Sequence, residues 1–518
     1  MVKSDFNLGW IFYKEGHEKD KKEVDLPHDA MIYEQRSRES VTAGACGYFP
    51  GGTYVYEKSF EAPVEWKGKK IILEFEGIYQ QAQVYLNGQL TGTNIYGYSN
   101  FYVPLENGLV YGESNQLKVV ADNSKCPNSR WYSRSGIYRK ANPYVGEECY
   151  IQPEGVKITT PEIDRIQIEA DVTGGEQLRA LIFDKGRKIA EGLTEVKDSL
   201  AKLSLDIPKA QLWDAENPYL YEYQLELIND GKAVECVKGF LVNGKEVLLR
   251  GACIHHDNGI LGGCSFQEAE ERRIRILKEA GFNAIRCSHN PASKDLLLAR
   301  DKLGMYVMDE FADQWLIHKN PYDYADTDFR KNWQQDLRAM VLKNYNHPSV
   351  IMNSIGNEIS ELALPEGQEY CRKMAEFARS IDPSRPVTLG VNLMLCSMTA
   401  KGGGIYGEKK DKKGKKKENQ NGSQTMDNAP TSTFFNMLMN MAGGMIEKMA
   451  AKPAADKASE EAFASLDIGG YNYAASRYEI DKDLHPDRVI VGSETLPKNL
   501  YKNWQLVKKL PHVIGDFM

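Results

Sequence analysis

Hydrophobic and polar positions alternate with a period of two over roughly the first 150 residues, which is the pattern of half-buried β-strands. Glycine, asparagine and aspartate interrupt this pattern and supply turn geometry. Asn87-Gly88 is a strong signal for a two-residue hairpin turn. The clearest strand-like runs lie at 71–77, 83–88 and 116–121. We therefore predict an all-β domain over residues 1–150.

The alternation continues in a second region that extends to about residue 240. Its clearest runs lie at 156–160, 166–172 and 220–227. Side chains that point alternately inward and outward along several short strands fit a small β-sandwich. We predict that this second β-domain covers residues 151–243.

From residue 244 onward, apolar runs alternate with amphipathic segments of helical period. Eight strand-like runs lie at 247–254, 284–288, 305–309, 350–355, 386–391, 466–471, 489–492 and 513–517. Helical segments follow all but the last, for example at 268–280, 293–303, 329–345 and 498–509. Eight βα repeats predict a (β/α)8 barrel over residues 244–518. Because the sequence ends at Met518, we expect this barrel to lack its last helix.

One insertion interrupts the barrel pattern after the fifth strand. Residues 401–430 include eight lysines between Lys401 and Lys417, together with glycine, asparagine and serine. This composition predicts a disordered, solvated loop over the catalytic face, and binding of an acidic partner is the less favoured interpretation. A methionine-rich helix is predicted from Phe434 onward.

Composition and charge narrow the functional classes. The 518 residues are 42% hydrophobic and 26% charged, with a net charge of −7, and nucleic-acid binding needs a basic surface instead. The N-terminus lacks the apolar core of a signal peptide, and no run of 18 apolar residues indicates a membrane span. Nine scattered cysteines without CxxC spacing indicate reduced thiols. We therefore expect a cytoplasmic protein that binds neither nucleic acid nor membranes.

Two glutamates lie at the ends of predicted barrel strands. Glu358 follows Asn357 after the fourth strand, and Glu494 follows Ser493 after the seventh. Because strand ends form the mouth of a barrel, where such folds carry their active sites, the two carboxylates can face each other. A pair about 5 Å apart can cleave a glycosidic bond with retention. The alternative is that each glutamate only caps the helix after its strand.

The segments around these glutamates occur together with other short motifs. They are GNE at 356–358, GSE at 492–494, LRGACIHHD at 249–257, RCSHNP at 286–291, MDE at 308–310, NHPSV at 346–350, LPHD at 26–29, YLNG at 85–88, SGIYR at 135–139 and LWDAENPYL at 212–220. Together they resemble glycoside hydrolase family 2, which contains β-galactosidases, β-glucuronidases and β-mannosidases. The resemblance implies a multidomain chain: a jelly-roll domain, an immunoglobulin-like β-sandwich and a catalytic TIM barrel.

The resemblance also implies a role for each matching residue. It makes Glu358 the general acid/base and Glu494 the nucleophile. Asn357 would bind the sugar 2-hydroxyl, Arg286 would keep the nucleophile ionised, and Tyr473 would hydrogen-bond it. The residues that would line the sugar pocket are His255, His289 and Asp309. The residues show no metal-ligand set, and no cofactor is implied.

Several of these residues also have purely structural interpretations. Arg286 could form a buried ion pair, and His289 could be a turn residue. His256 and Asp257 could close the loop after the first strand instead of contacting substrate. Trp315 could stack on a sugar or pack in the core.

The family resemblance implies a retaining exo-β-glycosidase with a carbohydrate substrate, and β-galactosides are the substrates we expect. A β-glucuronidase of the same family is the nearest alternative. Family members continue past residues 515–517, so the resemblance also implies C-terminal truncation. A non-catalytic sugar-binding remnant is therefore a further alternative. A homo-oligomer is compatible with the sequence.

Overall fold

The computed structural model describes residues 1–239, 247–403, 444 and 446–518. Two antiparallel β-domains precede a closed eight-stranded barrel, so the predicted multidomain fold class is confirmed. The lysine-rich insertion predicted at 401–430 lies outside the described residues except for its first three positions. The methionine-rich helix predicted from Phe434, over residues 434–441, lies entirely outside them; the later residues 444 and 446–450 are helical.

The first domain is a sandwich of two antiparallel sheets. Side chains that alternate along both sheets, among them Leu73, Val84 and Val119, meet in one buried core. At the predicted hairpin, Asn87 and Gly88 have φ angles of 51° and 82°, the geometry that a two-residue turn requires. The smaller sheet contains, in spatial order, Val2–Lys3, Ala141–Gly146, Lys70–Phe75 and Phe101–Pro104. The larger sheet contains Lys22–Val24, Trp10–Lys14, Gly52–Glu61, Ser114–Asn123, Ala82–Leu86 and Gln89–Asn94.

The second domain is a seven-stranded antiparallel sheet that folds over its own core. The long strand Arg187–Lys197 pairs with one half of the sheet from Arg187 to Glu195 and with the other half through Val196 and Lys197. Ile168 and Leu225, which come from the two halves, are fully buried in the same cluster. In spatial order the strands are Tyr150–Glu162, Arg165–Thr173, Leu200–Asp206, Arg187–Lys197, Gln177–Asp184, Glu222–Asn229 and Lys232–Gly239.

The barrel is closed because its eighth strand pairs in parallel with its first. Gly251 allows this closure, since a Cβ there would stand 2.1 Å from the ring of Phe517. Strands one to eight are Leu249–Ile254, Ala284–Cys287, Tyr306–Glu310, Val350–Asn357, Val387–Val391, Gly469–Asn472, Ile490–Glu494 and Val513–Phe517. All eight correspond to predicted runs. Each strand end lies within three residues of the predicted end.

Helices surround the barrel, as predicted. The second is a clear local example, because the Ser293 side chain accepts a hydrogen bond from Leu296 N at its start and Gly304 adopts φ 75° at its end. The helices are Gln267–Glu279, Lys294–Leu303, Thr327–Asn344, Pro365–Ile381, Leu393–Ala400, Pro453–Ala464, Arg477–Leu484 and Leu500–Lys509. The sixth strand begins at Gly469, three residues later than predicted, because Leu466 packs against the hydrophobic core without belonging to the strand.

A partly buried charge cluster joins the three domains. Lys294, at the start of a barrel helix, lies 2.7 Å from Glu74 in the first domain and 2.5 Å from Glu154 in the second. Lys3 adds a second cation 3.3 Å from Glu74, which is fully buried. The first domain is therefore held against the barrel by charges as well as by apolar packing.

Candidate active site

The two predicted catalytic glutamates lie on one end of the barrel, at the carboxyl ends of strands four and seven. The Asn472 side chain, at the end of strand six, links their surroundings. Its Nδ2 donates to Asn357 Oδ1 at 2.9 Å and to Glu494 Oε2 at 3.3 Å. Glu358 directly follows Asn357 and has φ 47°, a left-handed conformation that is uncommon for residues other than glycine and that recurs at functional sites.

Glu494 is surrounded by donors that favour its ionised form. Arg286 Nη1 donates to Glu494 Oε2 at 2.9 Å, and the Tyr473 hydroxyl donates to Glu494 Oε1. Burial favours the neutral form, but the charge of Arg286 and the hydrogen bonds from Tyr473 and Arg286 outweigh burial and lower the pKa of this carboxyl. Glu494 therefore exists as a carboxylate, the form that can attack an electrophilic carbon.

Glu358 is in the opposite electrostatic situation. Its side chain is almost completely buried, and the Asn392 Nδ2 donates to its Oε1 at 2.8 Å. Burial and the negative charge of Glu494 raise the pKa of Glu358 above its ordinary range. The nearby cations Arg130 and Lys319 reduce this rise without cancelling it. Two carboxyl groups with pKa values pushed apart in this way can divide the roles of acid and nucleophile.

Arg286 is the centre of the network beneath these glutamates. It is fully buried and donates two hydrogen bonds to Glu310, at 2.8 and 2.9 Å, through a guanidinium edge. Asn357 Oδ1 accepts a further hydrogen bond from it at 2.8 Å. Arg286 therefore forms the buried ion pair of the structural interpretation and also contacts the proposed nucleophile, as the family resemblance implies.

The two histidines implied to line the sugar pocket also lie at this mouth. His289 Nδ1 is 2.7 Å from Glu310 Oε1, and its Nε2 is 3.8 Å from Glu494 Oε2. The His255 ring centroid is 5.4 Å from that of His289. Burial, followed by the charge of Arg286, lowers the pKa of His289 well below its usual value, so this ring is neutral.

Asp309, which the family resemblance places in the pocket, does not join this cluster. Its carboxylate accepts hydrogen bonds from Ala292 N and from Lys343 Nζ, on the side of strand three that faces the helices. Successive side chains of a strand point to opposite faces, so Glu310 points into the barrel where Asp309 cannot. The signal that could have identified Glu310 is its place as the last residue of the strand.

The contacts of Trp315 and His256 decide between the structural and the substrate-binding interpretations of these residues. Trp315 is fully buried, donates from Nε1 to Ile355 O and stacks on Phe329, so it packs in the core. His256 is buried and its Nε2 lies 2.7 Å from Asn290 O, which fits the structural interpretation.

One contribution to the site comes from the first domain and was not predicted from the sequence. Arg130 and Trp131 lie between that domain's last two strands, yet both reach the barrel mouth. Arg130 Nη1 stands 3.9 Å from Glu358 Oε2. The Trp131 ring centroid lies 4.9 Å from that of His255 and 5.3 Å from that of His289. No periodicity marks this loop, and only the nearby SGIYR segment hinted at its importance.

We also considered where a metal ion could bind. In the described part of the chain, one group has suitable spacing, formed by Asp456, Asp481 and His485. Arg477 already forms ion pairs with both aspartates, and its positive charge disfavours a cation there.

Across the described ranges, no helix is both long and apolar enough to cross a membrane.

Comparison with known proteins identifies the family of this chain. The model of the glycosyl hydrolases family 2 TIM barrel domain matches residues 233–431, and the glycosyl hydrolases family 2 model matches residues 155–239. A solved family 2 member from Bacteroides cellulosilyticus DSM 14838 superposes on the whole chain with a TM-score of 0.80 and 31% identity, and the chain covers 67% of it. The chain belongs to glycosyl hydrolase family 2.

Two curated relatives of this family 2 chain carry different names. β-Galactosidase BoGH2A of Bacteroides ovatus is 33% identical over 460 residues, and a β-glucuronidase of Bacteroides fragilis is 28% identical over 434. The matches cover 75% and 74% of this chain. They cover 54% and 60% of the relatives, so the chain spans little more than half the length of either.

Proposed function

We propose that this chain is a retaining exo-β-glycosidase that acts on terminal β-galactosides. The observation that carries the proposal is the opposite electrostatic setting of two carboxyl groups at one barrel mouth. The pKa of Glu358 is raised and that of Glu494 is lowered. Such a pair supplies one proton donor and one nucleophile at the same pH. The name of the Bacteroides ovatus relative supports a galactoside substrate.

The proposed reaction has two steps. In the first, a Glu494 carboxylate oxygen bonds to the anomeric carbon while the bond to the leaving oxygen breaks, and Glu358 gives its proton to that oxygen. In the second, Glu358 takes a proton from water, the water oxygen bonds to the anomeric carbon, and the ester to Glu494 breaks. Asn357 is proposed to bind the sugar 2-hydroxyl, and His255 and His289 to line the ring.

The pH dependence follows from the two pKa shifts. Glu494 must be ionised, so activity falls as the pH drops through its lowered pKa. Glu358 must carry its proton, so activity falls as the pH rises through its raised pKa. We expect a bell-shaped dependence of kcat/KM on pH, with the acidic limb set by Glu494 and the basic limb by Glu358.

The test is a panel of nitrophenyl β-glycosides offered to the 518-residue chain, with the anomer first released identified by NMR. We expect turnover of the galactoside, a β-configured first product, and loss of turnover in Glu494→Ala. Glu358→Gln should lose more activity on poor leaving groups than on activated ones, because acidic leaving groups need little proton assistance. Glu376→Gln, on an exposed helix face, is the matched control.

The panel also separates the alternatives. Preference for the glucuronide would identify the activity named for the Bacteroides fragilis relative. Sugar binding without turnover would indicate a non-catalytic binding protein, and release of the α-anomer would rule out a retaining mechanism. Equal loss on all leaving groups in Glu358→Gln would contradict its role as acid.

A further inference from the structure

Arg130 enters the active site from outside the barrel and is held there by two parallel hydrogen bonds. Its Nε and Nη2 donate to the two carboxylate oxygens of Asp313, at 3.0 and 2.6 Å. The third guanidinium nitrogen, Nη1, then faces Glu358, 3.9 Å from its Oε2. A guanidinium is planar, so binding one edge to Asp313 fixes where the remaining nitrogen points.

Asp313 is itself fixed in place. Its Oδ1 also accepts hydrogen bonds from Lys319 Nζ at 3.0 Å and Asn357 Nδ2 at 2.9 Å, and its side chain is buried. Burial opposes its ionisation, but the charges of Arg130 and Lys319 keep the pKa of Asp313 well below its usual range. Asp313 is therefore an anion at every pH of interest and anchors Arg130 permanently.

We infer that Arg130 is a positioning residue that holds a fixed positive charge beside Glu358 and so sets the strength of this group as acid and as base. The inference deepens the proposed function and rests on it for the consequences in turnover. When Glu358 gives its proton to the leaving oxygen, it becomes a carboxylate inside a buried site. Arg130 stabilises that carboxylate, which makes the proton easier to donate and keeps the group ready to accept a proton from water.

Glu358 faces several other groups, and they do not supply this charge in the same way. Glu494 opposes ionisation of Glu358 by its negative charge. Lys319 is a second cation, but its ammonium group donates to Asp313 and to Asn357 O. Among the described residues, further neighbours are the amide of Asn392 and the phenol of Tyr473, which are uncharged near neutral pH.

The test compares the pH dependence of kcat/KM in the parent and in Arg130→Gln. An opposite charge within about 4–6 Å lowers a carboxyl pKa by about 1–3 units, so its loss should move the basic limb up by at least about one pH unit. The rate should fall most on poor leaving groups. Arg130→Lys, which keeps a cation, should recover part of the shift, and Arg372→Gln on an exposed helix face should show none. A basic limb in Arg130→Gln that coincides with the parent's would overturn the inference.

A second readout does not need turnover. Difference infrared spectroscopy follows the carboxyl band of Glu358 during a pH titration, with Glu358→Gln to assign the band. The midpoint should rise by about one unit or more in Arg130→Gln, and an unchanged midpoint would refute the inference. A chain that hydrolyses no glycoside would refute the proposed function, while the titration would still decide the role of Arg130.

One further variant keeps the inference testable if Arg130→Gln does not fold. Arg130→Gln leaves the buried carboxylate of Asp313 with one cation fewer, which can destabilise the fold. The double variant Arg130→Gln with Asp313→Asn removes both charges of the pair. Because Arg130 is the member that faces Glu358 directly, the midpoint should still rise, and no rise would count against the inference.

Discussion

Tyr473→Phe removes one hydrogen bond from the proposed nucleophile and little else. The hydroxyl of Tyr473 donates to Glu494 Oε1, while Arg286 and Asn472 contact the other oxygen. Phenylalanine keeps the ring and leaves no cavity, so the change isolates a single polar contact. That contact favours the ionised form of Glu494, and its loss should raise the pKa of this carboxyl.

The magnitude follows from the strength of such bonds. A hydrogen bond to a charged group contributes about 1.5–3 kcal/mol, and about 1.36 kcal/mol corresponds to one pKa unit. We therefore expect the pKa of Glu494 to rise by about one to two units. Since Glu494 must be ionised to attack, the acidic limb of kcat/KM should move up by the same amount. Below that limb, activity should fall by about ten- to hundredfold relative to the parent.

The assay is hydrolysis of an activated aryl β-glycoside across the acidic pH range. Tyr471→Phe is the matched control, because Tyr471 lies two residues earlier, is fully buried and donates its hydroxyl to Asp481 outside the site. This control should leave the acidic limb where it is in the parent. An acidic limb of Tyr473→Phe that also stays in place would refute the view that this phenol keeps Glu494 ionised.

Four further substitutions test the fold and the site. Glu310→Gln should lower kcat/KM by about tenfold or more, because it weakens the charged pairing that orients Arg286. Asp309→Asn should instead reduce the free energy of unfolding in urea by about 3–5 kcal/mol with kcat/KM nearly unchanged. A loss of kcat/KM without a loss of stability in Asp309→Asn would show that Asp309 serves the site. Lys294→Met should destabilise the protein by about 3–5 kcal/mol in urea unfolding. Adding Glu74→Gln should recover part of this loss, and no recovery would show that the Lys294–Glu74 ion pair contributes little to stability. Leu297→Ala, at a fully buried position, should cost about 2–5 kcal/mol by calorimetry; a loss below about 1 kcal/mol would contradict tight packing there.

Much of the fold could be predicted because hydrophobic periodicity is a local property. A period of two marked the two β-domains, and alternating strand and helix patterns marked all eight barrel repeats. The ends of elements were less certain, because apolar residues such as Leu466 pack beside a strand without belonging to it. Propensity and periodicity respond to burial, and burial does not distinguish a strand from its flanking loop.

Part of the site was also local. Glu358 and Glu494 could be located because each follows a strand pattern, and parallel barrel strands bring their carboxyl ends to the same face. It was harder to predict the face of a strand from which a side chain emerges, since a shift of one residue exchanges the inner face for the outer face. The family resemblance implied Asp309 in the pocket, whereas in the structure it is the next residue, Glu310, that contacts His289, and Asp309 accepts from Ala292 N on the opposite face of the strand.

The sequence alone determined the order of domains, the strand-and-helix repeat of the barrel and the strand ends at which two glutamates stand. Only the tertiary structure decided that Arg286 joins Glu310 and Glu494, and that Arg130 from the first domain reaches Glu358. The physical reason is distance along the chain. Periodic patterns report which face of a segment is buried. The contacts of Arg286 form only when the barrel closes, and the contact of Arg130 with Glu358 forms only when the first domain packs against the barrel.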